Sequence, residues 1–216
     1  MTLTLTQLIS QVQAMFLDDG TRFTANTVTA ALRQALKDFN AAAPLRAAET
    51  QDVVSGQYEY ELSDMTAISV LDVLLEGTDT VQENHIPLAF NPYFEDGRAW
   101  IRLQKPLGTG TLILRYTTPH TLSGLDGAVE STLAALWDAV LLDGACYYAC
   151  LMRAASRIEV VNLNADVPDP WQALAGLYKL AFDLGLKLAQ QQPAARLPDK
   201  PWQPRTWNDA WHNFPP

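Results

Sequence analysis

The stretch at residues 131–157, STLAALWDAVLLDGACYYACLMRAASR, limits the possible folds more than any other part of the chain. Leu133, Leu136, Trp137, Val140, Leu141, Tyr147, Tyr148, Leu151 and Met152 recur at the three-and-four spacing of a helix, with Asp138, Asp143, Arg153 and Arg157 as its few charges. At 1.5 Å rise per residue such a helix runs to roughly 40 Å. Its apolar surface needs cover on several sides, which predicts a central helix in a bundle.

The cover is legible on both sides of it. Residues 170–191, PWQALAGLYKLAFDLGLKLAQQ, read as a second long helix, with Asp169 as an acceptable N-cap and Pro170 at the first helical position, where a missing N–H costs nothing. The polar VVNLNADVPD between the two predicts an antiparallel hairpin. Near the N-terminus, residues 3–17 place Leu5, Leu8, Ile9, Val12, Met15 and Phe16 on one face, and Asp18-Asp19-Gly20 stops that helix. Thr24 caps the next, ANTVTAALRQALKDFNAAA, which Pro44 closes. Both stripes need a partner, and the central hairpin supplies it, giving a bundle of about four helices.

Between about residues 50 and 116 the period changes to two. Tyr58, Tyr60 and Leu62 alternate with Glu59 and Glu61; Ile101 and Leu103 flank Arg102; Leu112, Leu114 and Tyr116 alternate with Ile113 and Arg115. These are strands, the last two joined by KPLGTG as a hairpin loop, with AISVLDVLLEG supplying a further strand pair or edge. The expected fold class is therefore α+β, mainly α: N-terminal helices at 1–48, a β insertion at 49–122 between the second and third long helices, the central hairpin at 123–192, and an extended arm at 193–216. That arm, PAARLPDKPWQPRTWNDAWHNFPP, is too rich in proline to continue a helix, and Trp202, Trp207, Trp211 and Phe214 are a costly set to leave in water. They are the expected docking residues.

A chain of 216 residues suits one domain, or one carrying an inserted subdomain. Lys and Arg number 15 against 24 Asp and Glu, a formal charge of −9, which argues against a surface that grips nucleic acid throughout. Charges break the apolar runs before the roughly 20 residues a bilayer requires, and the N-terminus lacks a signal pattern, so a soluble cytoplasmic product without membrane partners is expected. Cys146 and Cys150, one helical turn apart, read as small buried side chains.

No chemistry of catalysis stands out. His85, His120 and His212 are scattered without metal-ligand spacing, PLGTGT lacks the lysine and helix of a phosphate cradle, and no serine or cysteine has an activating partner. No enzyme activity, metal or cofactor is expected. The charge pattern is more informative: between Arg46 and Arg98 there is no Lys or Arg, while Glu49, Glu59, Glu61, Asp64, Asp72, Glu76, Glu95 and others fall there. Glu59 and Glu61, alternating with Tyr58, Tyr60 and Leu62, turn away from the core.

The order of these elements resembles the adaptor proteins of tailed bacteriophage necks, also called head-to-tail connector or head completion proteins. The resemblance is carried by FTANTVTAALRQALKDFNAAAP at 23–44, LILRYTTPHTL at 112–122 and LLDGACYYACLMRAA at 141–155. It implies a non-enzymatic virion protein, made in the host cytoplasm, that closes into a ring of about twelve copies. Such a ring sits beneath the portal, meets a stopper, nozzle or tail protein below, and passes DNA without binding it specifically. In that setting Trp202, Trp207, Trp211 and Phe214 dock on the portal or a neighbouring subunit, while Glu59, Glu61, Asp64, Asp72 and Glu76 are candidates to line the bore and repel phosphate. The competing reading is a carbohydrate- or peptide-binding module of a phage tail or host protein, using the tryptophans or the strands.

Overall fold

The computed structural model describes residues 3–63, 66–67, 69–76, 85–157 and 170–191. Among them are four α-helices and two antiparallel sheets, a mixed helix and strand fold. They form two compact units, one from residues 3–44 and 120–191, the other from 45–119.

The first unit is helical. Helix α1 (Leu5–Met15) opens with a capping box: the Gln7 backbone N–H donates to the Thr4 hydroxyl, and the Gln7 side chain accepts from the Thr4 N–H at 2.8 Å. Thr4-x-x-Gln7 is a legible signal that the periodicity reading passed over. Beyond α1, Leu17 takes a left-handed φ of 49°, and Asp18 gathers the N–H groups of Arg22 and Phe23 at 3.2 and 2.7 Å, which turns the chain into α2 (Ala25–Ala42). Thr24 caps α2 as expected, accepting from Thr27 at 3.3 Å.

Helix α3 (Asp138–Arg157) starts later than residue 131, behind a single 3-10 turn at Ala135–Trp137. The reason is competition for backbone groups. Thr121 donates to the Thr132 hydroxyl at 2.8 Å, Thr132 donates to the Thr121 carbonyl at 3.1 Å, and Ser123 donates to the Ser131 hydroxyl at 2.9 Å. These bonds tie residues 131–132 to 121–123 outside a helix, so the helix starts only after them. By length and composition Ala135–Ser156 is nonetheless apolar enough to cross a membrane, so charges do not break every such run. Here α2 and α4 (Pro170–Gln191) cover it, and Leu141, Ala145, Cys146, Ala149, Cys150 and Ala154 are buried.

Close approach of these helices depends on glycine. A Cβ on Gly144 would lie 2.7 Å from the Phe182 ring and 2.8 Å from Ala35; one on Gly185 would lie 2.6 Å from Val140. Phe16 stacks on Phe23 at 4.3 Å, and Trp171 meets Phe23 edge-on at 5.3 Å, closing the end of the core where α4 begins.

Among its described residues the second unit has seven strands: β1 (Leu45–Asp52), β2 (Glu59–Glu61), β3 (Ser69–Glu76), β4 (His85–Pro87), β5 (Phe90–Glu95), β6 (Arg98–Leu103) and β7 (Thr111–Thr118). One sheet runs β1-β7-β3-β4 and the other β2-β6-β5. Alternate residues Ala99, Ile101 and Leu103 of β6, and Leu112, Leu114 and Tyr116 of β7, join one buried cluster with Tyr60, Leu62 and Val73.

One expectation is corrected here. KPLGTG does not close a hairpin, because β6 and β7 belong to different sheets. Each is already paired on both edges, β6 by β2 and β5, β7 by β1 and β3, so neither has an edge left for the other. The loop is a crossover whose Gly110, at φ 134°, faces Leu75 so closely that a Cβ would come within 2.9 Å of it. The tight hairpin is β5–β6, where Asp96 and Gly97 both take positive φ, 51° and 76°. Asp-Gly between alternating strands is the strongest short-range hairpin signal, and it lay unread in FEDGRAW.

Candidate functional site

The candidate acidic residues divide between the sheets. Glu59 and Glu61 stand on β2, while Asp72 and Glu76 stand on β3. Asp64 lies outside the described residues, as do Trp202, Trp207, Trp211 and Phe214. On β2 the alternation holds where it matters: Tyr60 and Leu62 are buried and Glu59 points to solvent, although Tyr58 is exposed as well.

None of the three acids with a resolved ion pair is bare. Glu59 lies opposite Arg102 in the β2–β6 ladder, with the guanidinium 3.7 Å from its carboxylate, and Arg98 bonds to Glu61. Arg115 of β7 sits 3.7 Å from Asp72. A β-bulge in β3 between Val70 and Asp72 arranges this last pair. Without the extra residue, Asp72 would face Leu114 on the buried side; with it, Asp72 faces Arg115 and Val73 faces Leu114. Burial still pushes the Asp72 carboxyl above its ordinary value, against the pull of Arg115 and Arg46. Glu49 is also spoken for, accepting from the Gln51 side chain at 2.7 Å and from the Ser63 N–H at 3.2 Å. Three acids of the interval without Lys or Arg, Glu59, Glu61 and Asp72, are thus members of ion pairs in space.

The helical unit presents an opposite kind of surface, one the sequence reading did not single out. Leu177, Leu180, Leu184 and Leu188 of α4 are 66, 69, 60 and 52% exposed, a stripe at three-and-four spacing on the side away from buried Ala175, Phe182, Gly185 and Ala189. Its sequence signal is the same period that marks a core face, which is why pattern alone does not separate the two.

The groups that might have carried chemistry have structural partners. Burial pushes both Cys146 and Cys150 thiols up to about 12, so they are neutral at ordinary pH, and Cys146 contacts the Met15 sulfur at 3.6 Å. His120, its pKa lowered by burial, packs edge-on to Phe39 at 5.6 Å with Thr132 near its ring nitrogen. Among the described residues no group of three His, Cys, Asp or Glu is placed to hold a metal.

The family model described as SU10 adaptor protein matches residues 3–205 of the chain. Among solved structures, the chain is similar to one in the neck of an empty GTA particle computed with C6 symmetry, at 12% identity and a TM-score of 0.29, covering 79% of this chain and 87% of that one. It is similar also to one in the neck of a native GTA particle computed with C12 symmetry, at 13% identity and a TM-score of 0.28, covering 82% and 91%. No curated protein matches.

Proposed function

The chain belongs to the SU10 adaptor protein family, and from that membership we propose that it is a structural, non-enzymatic adaptor of a phage neck. The observation that carries this reading is the match itself, which spans nearly the whole chain and takes in both units. In the assembled virion, about twelve copies close into a ring beneath the portal, with DNA passing through the bore. The α4 stripe supports a role in assembly, since contiguous exposed leucines mark surfaces that a partner covers.

Two further parts of the reading concern residues named from sequence. Trp202, Trp207, Trp211 and Phe214 attach the ring to the portal or to a neighbouring subunit, each buried aromatic contributing on the order of 2 kcal/mol. Glu59, Glu61, Asp64, Asp72 and Glu76 face the bore. With Arg98, Arg102 and Arg115 beside three of them, such a lining is weakly charged, which suits a conduit that must not hold DNA by counterion release.

Electron microscopy of the purified protein with its portal tests the proposal. Rings or portal-bound collars are expected, and truncation after Gln192 should leave the helices folded while abolishing attachment. A monomer that ignores the portal and binds glycans overturns the adaptor reading; unchanged attachment after truncation overturns the arm's part in it. For the bore, particles carrying Glu59→Lys and Glu61→Lys place like charges beside Arg102 and Arg98, and should assemble yet eject DNA abnormally in a salt-dependent way. Normal ejection from well-formed particles removes the lining.

A further inference from the structure

A shallow groove of about 360 Å³ opens on the helical unit where α2, α3 and α4 meet. Its walls carry Asp38, Tyr147, Tyr148, Lys179, Asp183 and Gln190. The two tyrosine rings stand 4.6 Å apart, both half-buried. The Tyr148 hydroxyl donates to Asp38, while the Lys179 ammonium lies 6.0 Å from the centre of the Tyr147 ring and bonds to Asp183 at 2.5 Å. The groove therefore offers neighbouring aromatic faces and two carboxylates against one ammonium. That is the chemistry that receives a proline-rich strand flanked by cations: polyproline II is ordered before it binds, so it loses little entropy on aromatic rings.

The chain carries such a sequence shortly after α4. Pro198, Pro201 and Pro204 recur at every third residue, the repeat of polyproline II, and so share one edge. Around them Arg196, Lys200 and Arg205 stand against Asp199 alone, a charge balance complementary to the groove. Lengths agree as well. From Lys179 to Gln190 the α4 wall runs about 16 Å at a helical rise, and Pro198 to Pro204 covers about 19 Å in polyproline II. Gln190 ends the groove next to the C-terminus of α4, and residues 192–197 reach about 20 Å when extended, enough to turn back onto the same subunit.

We propose that residues 198–204 seat in cis in the Tyr147–Tyr148 groove. Seated there, they form a strap that takes Trp202 out of the set offered to a partner, sets where the arm leaves the helical unit and keeps Trp207, Trp211 and Phe214 available for docking. The strap does not depend on the adaptor reading, because its occupant and its groove belong to one chain.

The test uses the full chain with a photo-cross-linking p-benzoylphenylalanine at Trp202. Isotope-labelled and unlabelled chains are mixed, so that mass spectrometry separates links within a chain from links between chains. Intrachain links to Tyr147, Phe182 or Leu186 are expected. Replacing Pro198, Pro201 and Pro204 together by Ser, outside the folded helices, should reduce them roughly tenfold by removing the preset conformation. Tyr147→Ala, checked for retained helical circular dichroism, should do the same. Links to other surfaces, links mainly between chains, no links, or links indifferent to the prolines each overturn the strap. None of these outcomes bears on whether the protein forms collars on a portal.

Discussion

The helical unit and the β unit meet water in opposite ways. The helical unit closes a core of Leu8, Val12, Phe23, Leu32, Phe39, Leu141 and Phe182, then leaves four leucines of α4 largely exposed. The exposed large apolar side chains of the β unit, Val54, Tyr58, Ile86 and Phe94, are spread over separate segments rather than one stripe, and three of its acids are paired: Glu59 with Arg102, Glu61 with Arg98, Asp72 with Arg115. An uncovered leucine stripe costs free energy until a partner removes it from water. Exposed ion pairs are worth little either way and keep a surface from sticking. The helical unit carries one apolar face for a partner to cover, and the β unit carries none that runs as a single stripe among its described residues.

The largest expected effect tests how tightly the helical unit is packed. Gly185→Ala drives a methyl into Val140 and should cost about 1–3 kcal/mol, whereas Gly176→Ala on the same helix, with nothing within 4 Å, should stabilise by about 0.5–1 kcal/mol. Urea midpoints that move the same way for both would show that glycine at the α3–α4 crossing is there for reasons other than space.

A smaller effect is tied to pH and belongs to the helical unit alone. Burial lowers the His120 pKa from its ordinary 6.5, so the unfolded chain takes up a proton at a higher pH than the folded one. This histidine's contribution to stability is therefore fully present above the unfolded value and is lost as the pH falls through it towards the folded value. Comparing urea midpoints at about pH 7.5 and pH 5.5, the wild type should lose more stability than His120→Gln. An equal loss would show that the ring is not held neutral by its surroundings.

The smallest effect is expected in the β unit. A double-mutant cycle on Glu61 and Arg98, half-exposed partners across the ladder, should give a coupling of about 0.2–1 kcal/mol that weakens with added salt. A coupling well beyond that range would contradict the contrast, making the β unit's charges a source of stability rather than a surface.

Much of the helical unit was legible because helices are local. The Thr24 cap, the stop at Pro44 and the start at Pro170 all act within a turn or two of the groups they satisfy, and α2 and α4 have the bounds their sequences suggest. The start of α3 was misread because its competitors, Thr121 and Ser123, are further along the chain than a helical window sees. In the β unit β2, β3, β6 and β7 were legible, whereas β1, β4 and β5 went unread, and so did all the strand partners. KPLGTG looks like a hairpin loop until both edges of β6 and β7 are known to be taken.

Period, caps and turn residues by themselves determined that α1, α2 and α4 are helical, that β2, β6 and β7 alternate as strands, and that Tyr60 and Leu62 turn inward while Glu59 turns out. The tertiary structure alone decided which of two identical periods is covered: the same three-and-four spacing buries Leu141 and Ala145 on α3 and exposes Leu180 and Leu184 on α4. It alone also decided which acids of the interval without Lys or Arg are paired. Strand pairing brings Arg98, Arg102 and Arg115 from far along the chain to within ion-pair distance of Glu61, Glu59 and Asp72, and a bulge sets the last register. The physical reason is one of range: backbone hydrogen bonds and side-chain periodicity are settled by near neighbours, whereas burial and the local field depend on whatever the fold brings alongside.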